Sequence, residues 1–459
     1  MNKQGMKRLI QLRKQHARIS YLSHDYELVD GACHIVWHFE LDPGIAFDHR
    51  LSLYNAAIRR EGLQGEQLEL LIFNLGMVEL ISYFKLACPE RIEIHPYRLN
   101  SDQVQFWYKL YLNGLGEYMF VNGIDVDVIR ACRFSCSPSA VQMQPVDFIS
   151  DPHRALIPVG GGKDSAVTLN LTQLVPGLHR YILMVNPIAA AERCARISGV
   201  SETDFVRVAR RLDARLLEMN KQGYLNGHVP FSASIAFIGL LSAALLGIRS
   251  IVLSNEASAN QGNILYHQMD VNHQYSKSFE FEADFRDYVA NHISGTAFDY
   301  FSLLRSMGEM KITRLFADMP EYHAAFVSCN RAGRDDAWCG TCPKCLFVAV
   351  MLSVYLSAEQ VERIIGCDIM ADTELSELLA LLAGFGEHKP LECVGTYEEI
   401  RSALLSIRDR DGVDMPALVA SFFAEYGQSM QWLDTAELSR SLDRAADDFV
   451  PPLFQTAIE

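Results

Sequence analysis

The stretch Ala155-Leu-Ile-Pro-Val-Gly-Gly-Gly-Lys-Asp-Ser165 carries the residues best suited to chemistry. A short apolar run enters three glycines, and an apolar-periodic run from Ala166 to Leu171 leaves them. That pattern predicts strand, tight loop and helix. Without a Cβ, glycine lets backbone amides close on a ligand, and the free N–H groups at a helix start favour an anion. Gly160, Gly161 and Gly162 would form the cradle and Lys163 would add a positive charge. Asp164 and Ser165 would add metal- or hydroxyl-type ligands. The expected occupant is a phosphate or pyrophosphate; the plainer alternative is a glycine-rich turn that binds nothing.

A second concentration of chemistry is Cys329-x9-Cys339-x2-Cys342-x2-Cys345. An even spread of the 11 cysteines would put about 0.4 in such a span, so the clustering is not incidental. The short Cys-Gly-Thr-Cys-Pro-Lys-Cys spacing lets one turn present several sulfurs to a tetrahedral ion. Structural zinc held by four thiolates is the expected species. Lys344 and Arg331 would offset part of its negative charge. The competing reading is that one or two of these thiols move protons.

The chain that must position these groups has 459 residues, enough for two or three domains and a large core. Hydrophobic residues make up 49% and charged residues 21%, the balance of a globular protein. The net charge of −15 disfavours DNA or tRNA as a partner, because such binding rests on neutralising phosphates. It leaves room for a small anionic substrate in a local pocket. The basic start, Met1 to Ile19, lacks the long apolar core of a secretory signal and reads as a solvated, poorly ordered segment. Phe231 to Ile248 carries no charge and reaches membrane-spanning length, but its serines, alanines and glycines suit a helix packed on a sheet. A cytoplasmic protein without a membrane partner is expected, its cysteines free of a disulfide framework.

Residues 1–150 read as an α+β domain, with strands at Tyr26–Val29, Cys33–Phe39 and Arg91–His95 and helices at Leu68–Leu86 and Val104–Leu112. Asp151-Pro152 marks a seam. Residues 151–345 alternate strand and helix: the loop helix, a strand at Tyr181–Val185, helical material over Glu202–Met219, the helix from Phe231 and a strand at Ser250–Ser254. This predicts an α/β fold, a parallel sheet with helices on both faces and ligands beyond the carboxyl ends of the strands. Asn255 and Glu256 fall at such an end and join the candidate nucleotide-binding residues. Residues 346–459 read as mostly helical, with Pro451-Pro452 ending the last helical stretch.

Gly160 to Ser165 resembles the pyrophosphate loop (PP-loop) of the N-type ATP pyrophosphatases, usually Ser-Gly-Gly-x-Asp-Ser, with Gly160 in place of the serine. The cysteine cluster is similar to the zinc site that follows the same adenine-nucleotide α-hydrolase-like fold in 7-cyano-7-deazaguanine synthase. Six strings in order resemble the MurL family of UDP-N-acetyl-α-D-muramoyl-L-alanyl-L-glutamate epimerases. They are Leu225-Asn-Gly-His-Val-Pro230, Ser254-Asn-Glu-Ala-Ser258, Val271-Asn-His-Gln-Tyr-Ser-Lys-Ser278, Ser328-Cys-Asn-Arg331, Trp338-Cys-Gly-Thr-Cys-Pro-Lys-Cys345 and His388-Lys-Pro-Leu-Glu-Cys-Val-Gly395. The resemblance implies ATP- and Mg²⁺-dependent inversion of the terminal glutamate of UDP-MurNAc-L-Ala-L-Glu, releasing AMP and diphosphate. Another adenylating synthase of the same nucleotide group, or a non-catalytic ATP-binding zinc module, stays open beside it.

Inversion requires proton transfer on both faces of a carbon or one mobile group. His273 and Lys277, one turn apart if their segment is helical, form one candidate set. His388, Lys389 and Cys393 form another, with His267, Glu280 and Glu282 behind them. Asp164 or Glu256 would bind Mg²⁺. Arg305, Arg314 and Arg331 are candidates to clamp carboxylates or the UDP diphosphate.

Overall fold

Ten strands make one sheet: β1 (Arg18–Val29), β2 (Ala32–Leu41), β3 (Ile45–Tyr54), β4 (Arg91–Ile94), β5 (Arg133–Cys136), β6 (Asp151–Pro158), β7 (His179–Val185), β8 (Phe205–Arg211), β9 (Ile248–Leu253) and β10 (Asp299–Ser302). The computed structural model describes residues 3–60, 62–63, 65–410, 414–428 and 447–458. The spatial order is β10-β9-β6-β7-β8-β3-β2-β1-β4-β5. From β10 to β8 neighbouring strands run parallel. β8, β3, β2 and β1 then pair antiparallel, and β4 and β5 continue parallel to β1. The sheet is therefore mostly parallel and continuous across position 150. Asp151-Pro152 opens β6 and is not a linker.

Strand burial follows this topology. β7 buries four consecutive residues, Tyr181 to Met184, as a strand covered on both faces must. β2 alternates buried and half-buried positions, as a strand with one drier face does. Period two also sorts the parallel strands into two cores. Leu156, Leu183, Val206, Val208 and Ile251 pack with the Gly65–Glu79, Phe231–Leu246 and Phe279–His292 helices. Ala155, Ile157, Ile182, Met184 and Val252 pack with the Lys163–Gln173, Glu309–Ala317 and Pro343–Ser353 helices. The two layers share the sheet between them.

Four sequence readings are corrected. Helical material expected over Glu202–Met219 is a 3₁₀ turn, strand β8 and a helix at Ala214–Lys221. The arginines that break up its apolar pattern are paired by tertiary contacts: Arg207 with Glu192 at 2.8 Å, and Arg210 with the fully buried Glu79 at 2.9 Å. The start of the chain is helical over Lys3–Gln15, anchored by buried Leu9 and Leu12 and by Arg13, whose Nε donates to Cys88 O at 2.6 Å. The Leu68–Leu86 helix breaks into Gly65–Glu79 and Ile81–Phe84. That apolar pair is long enough to cross a membrane, but 89% of its apolar window is buried inside the protein, as in a core helix. Pro452 opens a further short helix, Pro452–Gln455, so the stretch before it is not the last.

The C-terminal part is helical at Ala358–Ile365, Ser376–Leu382, Tyr397–Arg408 and Ala417–Tyr426. The expected helical stretch at 429–446 lies outside the described residues.

Candidate active site

Chain order reverses between β6 and its neighbour β9, because β7 lies on the other side of β6. Loops leaving the carboxyl ends of such a strand pair diverge and open a crevice. A cleft of about 310 Å³ lies there, lined by Gly160, Gly162, Asp164, Ser165, Asn255, Glu256 and Lys277 at its polar end. Leu183, Val185, Phe231, Ile235 and Leu253 form its apolar wall.

The glycines differ in what they require. Gly161 has φ +87°, and a Cβ there would stand 2.6 Å from Ala191 N. A Cβ on Gly160 would meet nothing within 4 Å. Gly161→Ala is therefore expected to lose about 1–3 kcal/mol to backbone strain alone, with a further loss from the clash. Gly160→Ala should leave thermal stability unchanged, and paired melting curves check the contrast. Gly162 caps the Lys163–Gln173 helix without a side-chain hydrogen bond, leaving the first helical N–H groups for a ligand. Ser254 Oγ is buried in the same cleft with no hydrogen-bond partner among the described residues.

Lys163 is 2% exposed, and its Nζ bonds Asp164 and, at 2.7 Å, Glu309. Burial opposes the ammonium charge, but the two carboxylates outweigh it and raise its pKa. Glu309 is pushed upward by burial, against the pull of Lys163. Burial also works against the Asp164 charge, yet Lys163, Lys344 and Lys277 hold its pKa below the usual range.

At the end of the cleft marked by Lys277 stands a thiol. Lys277 Nζ lies 3.3 Å from Cys393 Sγ, and His273 acts electrostatically on the same sulfur. Burial disfavours the thiolate, but Lys277, His273 and Lys344 bring its pKa down to about 6. Burial likewise works against a charged His273, while Cys393 and Glu117 raise it to about 9. At neutral pH the pair is thiolate and imidazolium, the state of an activated cysteine.

The four clustered cysteines converge, with all four sulfurs within 4.8 Å of one another. Cys342 and Cys345 are 3.4 Å apart, and Cys339 and Cys345 3.8 Å. This donor set suits one tetrahedral ion. The cluster also braces the thiol loop. Asn330 Nδ2 donates to Glu392 at 2.9 Å, Lys344 N to the same oxygen at 3.1 Å, and Lys344 Nζ to Cys393 O.

Comparison with known proteins matches two family models to the chain. The family model described as the MurL N-terminal domain matches residues 11–303, and the MurL C-terminal domain matches 325–437. The chain belongs to the MurL family of epimerases. It is 31% identical over 401 residues to the UDP-N-acetyl-α-D-muramoyl-L-alanyl-L-glutamate epimerase of Xanthomonas oryzae, covering 86% of each chain. The enzymes of the same name from Salinispora tropica and a Micromonospora species are each 34% identical. Those matches cover 86% and 73% of this chain, and 84% and 74% of the relatives. No solved structure gives a match.

In this MurL chain Gly160, Gly162, Asp164 and Ser165 of the glycine loop lie with Asn255 and Glu256 at the cleft, and His273, Lys277 and Cys393 meet beside it. The Tyr275–Lys277 segment is a 3₁₀ turn, not the α-helical turn expected. His388 does not join the thiol: its ring packs on Phe120, centroids 5.7 Å apart, because the loop turns between it and Cys393. Lys389 is buried, its Nζ 3.4 Å from Gln261. His267 sits 3.8 Å from Asp125, Glu280 pairs with Lys109, and Glu282 with Arg305. Arg305 is no clamp: at 0% exposure its guanidinium holds Glu282, Glu256 O and Lys277 O. Arg314 and Arg331 are exposed. Sequence reasoning missed Glu117 and Glu309, whose signal is purely spatial, and gave no role to His228.

Proposed function

We propose that the chain inverts the terminal L-glutamate of UDP-MurNAc-L-Ala-L-Glu to D-glutamate in peptidoglycan precursor synthesis, consuming ATP. The observation that carries this reading is Lys277, which lines the phosphate-type cleft and also touches the Cys393 sulfur. One lysine thus joins a carboxylate-activating loop to a proton-transfer centre.

The cleft suits a nucleotide. Its apolar wall would take a base, and the uncapped helix start and Lys163 would take phosphates. Ser254 Oγ has the free hydrogen-bonding capacity of a ligand contact. Asp164 and Glu256 are the carboxylates that would hold Mg²⁺, which would neutralise phosphate charge.

A free glutamate carboxylate resists loss of its α-proton, since a second negative charge would build beside the first. When its oxygen attacks the α-phosphorus of ATP and diphosphate departs, that charge is removed. The carbonyl of the resulting acyl-adenylate can then absorb the developing carbanion. The Cys393 thiolate takes the Cα proton, and the His273 imidazolium and Lys277 ammonium are the acids in reach for its return. Water cleaves the anhydride to the inverted carboxylate and AMP.

Incubation with ATP, Mg²⁺ and UDP-MurNAc-L-Ala-L-Glu in D₂O tests this. D-glutamate bearing deuterium at the α-carbon, together with AMP, is expected. AMP without inversion would sink the epimerase reading, and ATP binding without AMP would sink adenylation as well.

The four-cysteine cluster fits zinc, as its thiolate donors prefer. About one zinc per chain is expected in the purified protein. Its removal by a chelator should lower the melting temperature and slow turnover, because Asn330 and Lys344 would no longer brace Glu392 and Cys393. A metal-free protein that melts and turns over normally would contradict this.

A further inference from the structure

We propose that Glu117, from the N-terminal part of the chain, is a positioning residue of the proton-transfer centre: it holds His273 as the cationic partner of Cys393. The inference rests on the epimerase reading above, but its test reads the thiol directly.

Four segments far apart in sequence meet at one imidazole. Glu117 lies in the first turn of the Gly116–Asn122 helix and accepts a hydrogen bond from His273 Nδ1. That leaves Nε2 as the ring nitrogen free for the sulfur. The His228 ring packs on His273 with centroids 4.5 Å apart, its Nδ1 3.6 Å from the same Glu117 oxygen. The framework is fixed by further bonds. Asn263 accepts from His273 N at 2.8 Å and donates to Pro390 O at 2.8 Å, tying the imidazole turn to the Cys393 loop. Lys85 Nζ holds Asn226 Oδ1 at 3.0 Å and Gly227 O at 2.7 Å, which places His228.

The charges around this group select one protonation pattern. Cys393 faces His273, Lys277 and Lys344, and it is also felt by Lys389. His273 faces Cys393, Glu117 and His228. His228 faces His273, Glu117, Lys85 and Lys277. Burial, His273, Lys85 and Lys277 drive His228 down to about 4, against the pull of Glu117, so it stays neutral. Only His273 takes the proton. Glu117, His228 and His273 also lie at the spacing of three metal ligands. Two lysine charges against the trio oppose a dication and favour the hydrogen-bonded relay. Orientation of an acid–base imidazole by a buried carboxylate has ample precedent in physical terms: the carboxylate fixes the ring and stabilises its charge.

The test is alkylation of Cys393 by iodoacetamide across pH in the metal-loaded full chain, read on the peptide that carries Cys393 by mass spectrometry. Wild type should show its half-point near pH 6. In Glu117→Gln the half-point should rise by about one unit or more, with alkylation at pH 6 slowed about tenfold. Glu117→Asp, which restores the charge, should recover most of the shift. The acid limb of α-proton exchange should move by the same amount. A wild-type half-point in the ordinary thiol range, or an unchanged one in Glu117→Gln, overturns the proposal. If Glu117→Gln does not fold, His273→Gln carries the same expectation. A low half-point in a chain that makes no D-glutamate overturns the epimerase reading and leaves the relay intact.

Discussion

Replacing Cys393 by alanine is expected to lower deuterium exchange at the glutamate α-carbon by about 10²–10⁴-fold, the usual contribution of a general base, while AMP release continues. The separation follows from the layout. In the proposed reaction phosphate contacts would be made by the glycine loop and Lys163, whereas the sulfur stands beside Lys277, at the edge of the cleft. Removing it should leave carboxylate activation in place and strand the adenylate, which water then cleaves without inversion. Cys393→Ser should behave nearly as badly, since a hydroxyl is not ionised where a thiol of about 6 is. The wild-type rate carries its own signature. Exchange is expected to fall below about pH 6, where the thiolate would be protonated. It is expected to fall again above about pH 9, where the imidazolium would be lost. The limbs belong to the interacting pair, not to either residue alone. Loss of AMP release together with exchange in Cys393→Ala would place the thiol in the activation step instead.

What was legible in the sequence was what lies close together along it. The loop from Gly160 to Ser165 is one turn and one helix start, so its composition alone announces the strand, loop and helix found there. The cysteine cluster is similarly local, its last three thiols within seven residues of one another. The group around Cys393 is assembled from remote segments, and there the reading thinned. Spacing pairs His273 with Lys277 and groups Cys393 with His388 and Lys389, but nothing in it says that Cys393 meets the first pair. His388 shares the Cys393 string yet packs on Phe120, since a loop carries its residues to different neighbours. Glu117 looks like any first-turn acid of a helix, and only the tertiary fold brings it to His273. Strand β8 was obscured for a related reason. The Val206-Arg207-Val208 alternation has period two, but Arg207 and Arg210 make the segment look solvated until Glu192 and Glu79 arrive from elsewhere. Where a partner is distant in sequence, local propensity describes an unpaired residue that the folded chain does not contain.

Lys163→Met is expected to remove ATP-dependent AMP release and to destabilise the chain by about 3–5 kcal/mol, the effect of breaking a buried ion pair from one side. The side chain is nearly isosteric, so packing is largely kept and the loss is electrostatic. Asp164 and Glu309 would be left in a dry site without their shared cation. The damage should depend on pH with a defined sign. Burial already raises the Glu309 pKa above its unfolded value, and loss of Lys163 raises it further. The folded state then binds more protons than the unfolded one, so stability falls as pH rises through the folded pKa. The melting deficit relative to wild type should therefore be smaller at mildly acidic than at alkaline pH. A second substitution, Glu309→Gln, removes one stranded charge and should return part of the stability. It cannot restore the phosphate contact, so AMP release should stay lost in the double variant. Recovery of both together would mean that Lys163 only neutralises Glu309. Recovery of stability alone would locate its chemical role on the ligand side of the loop.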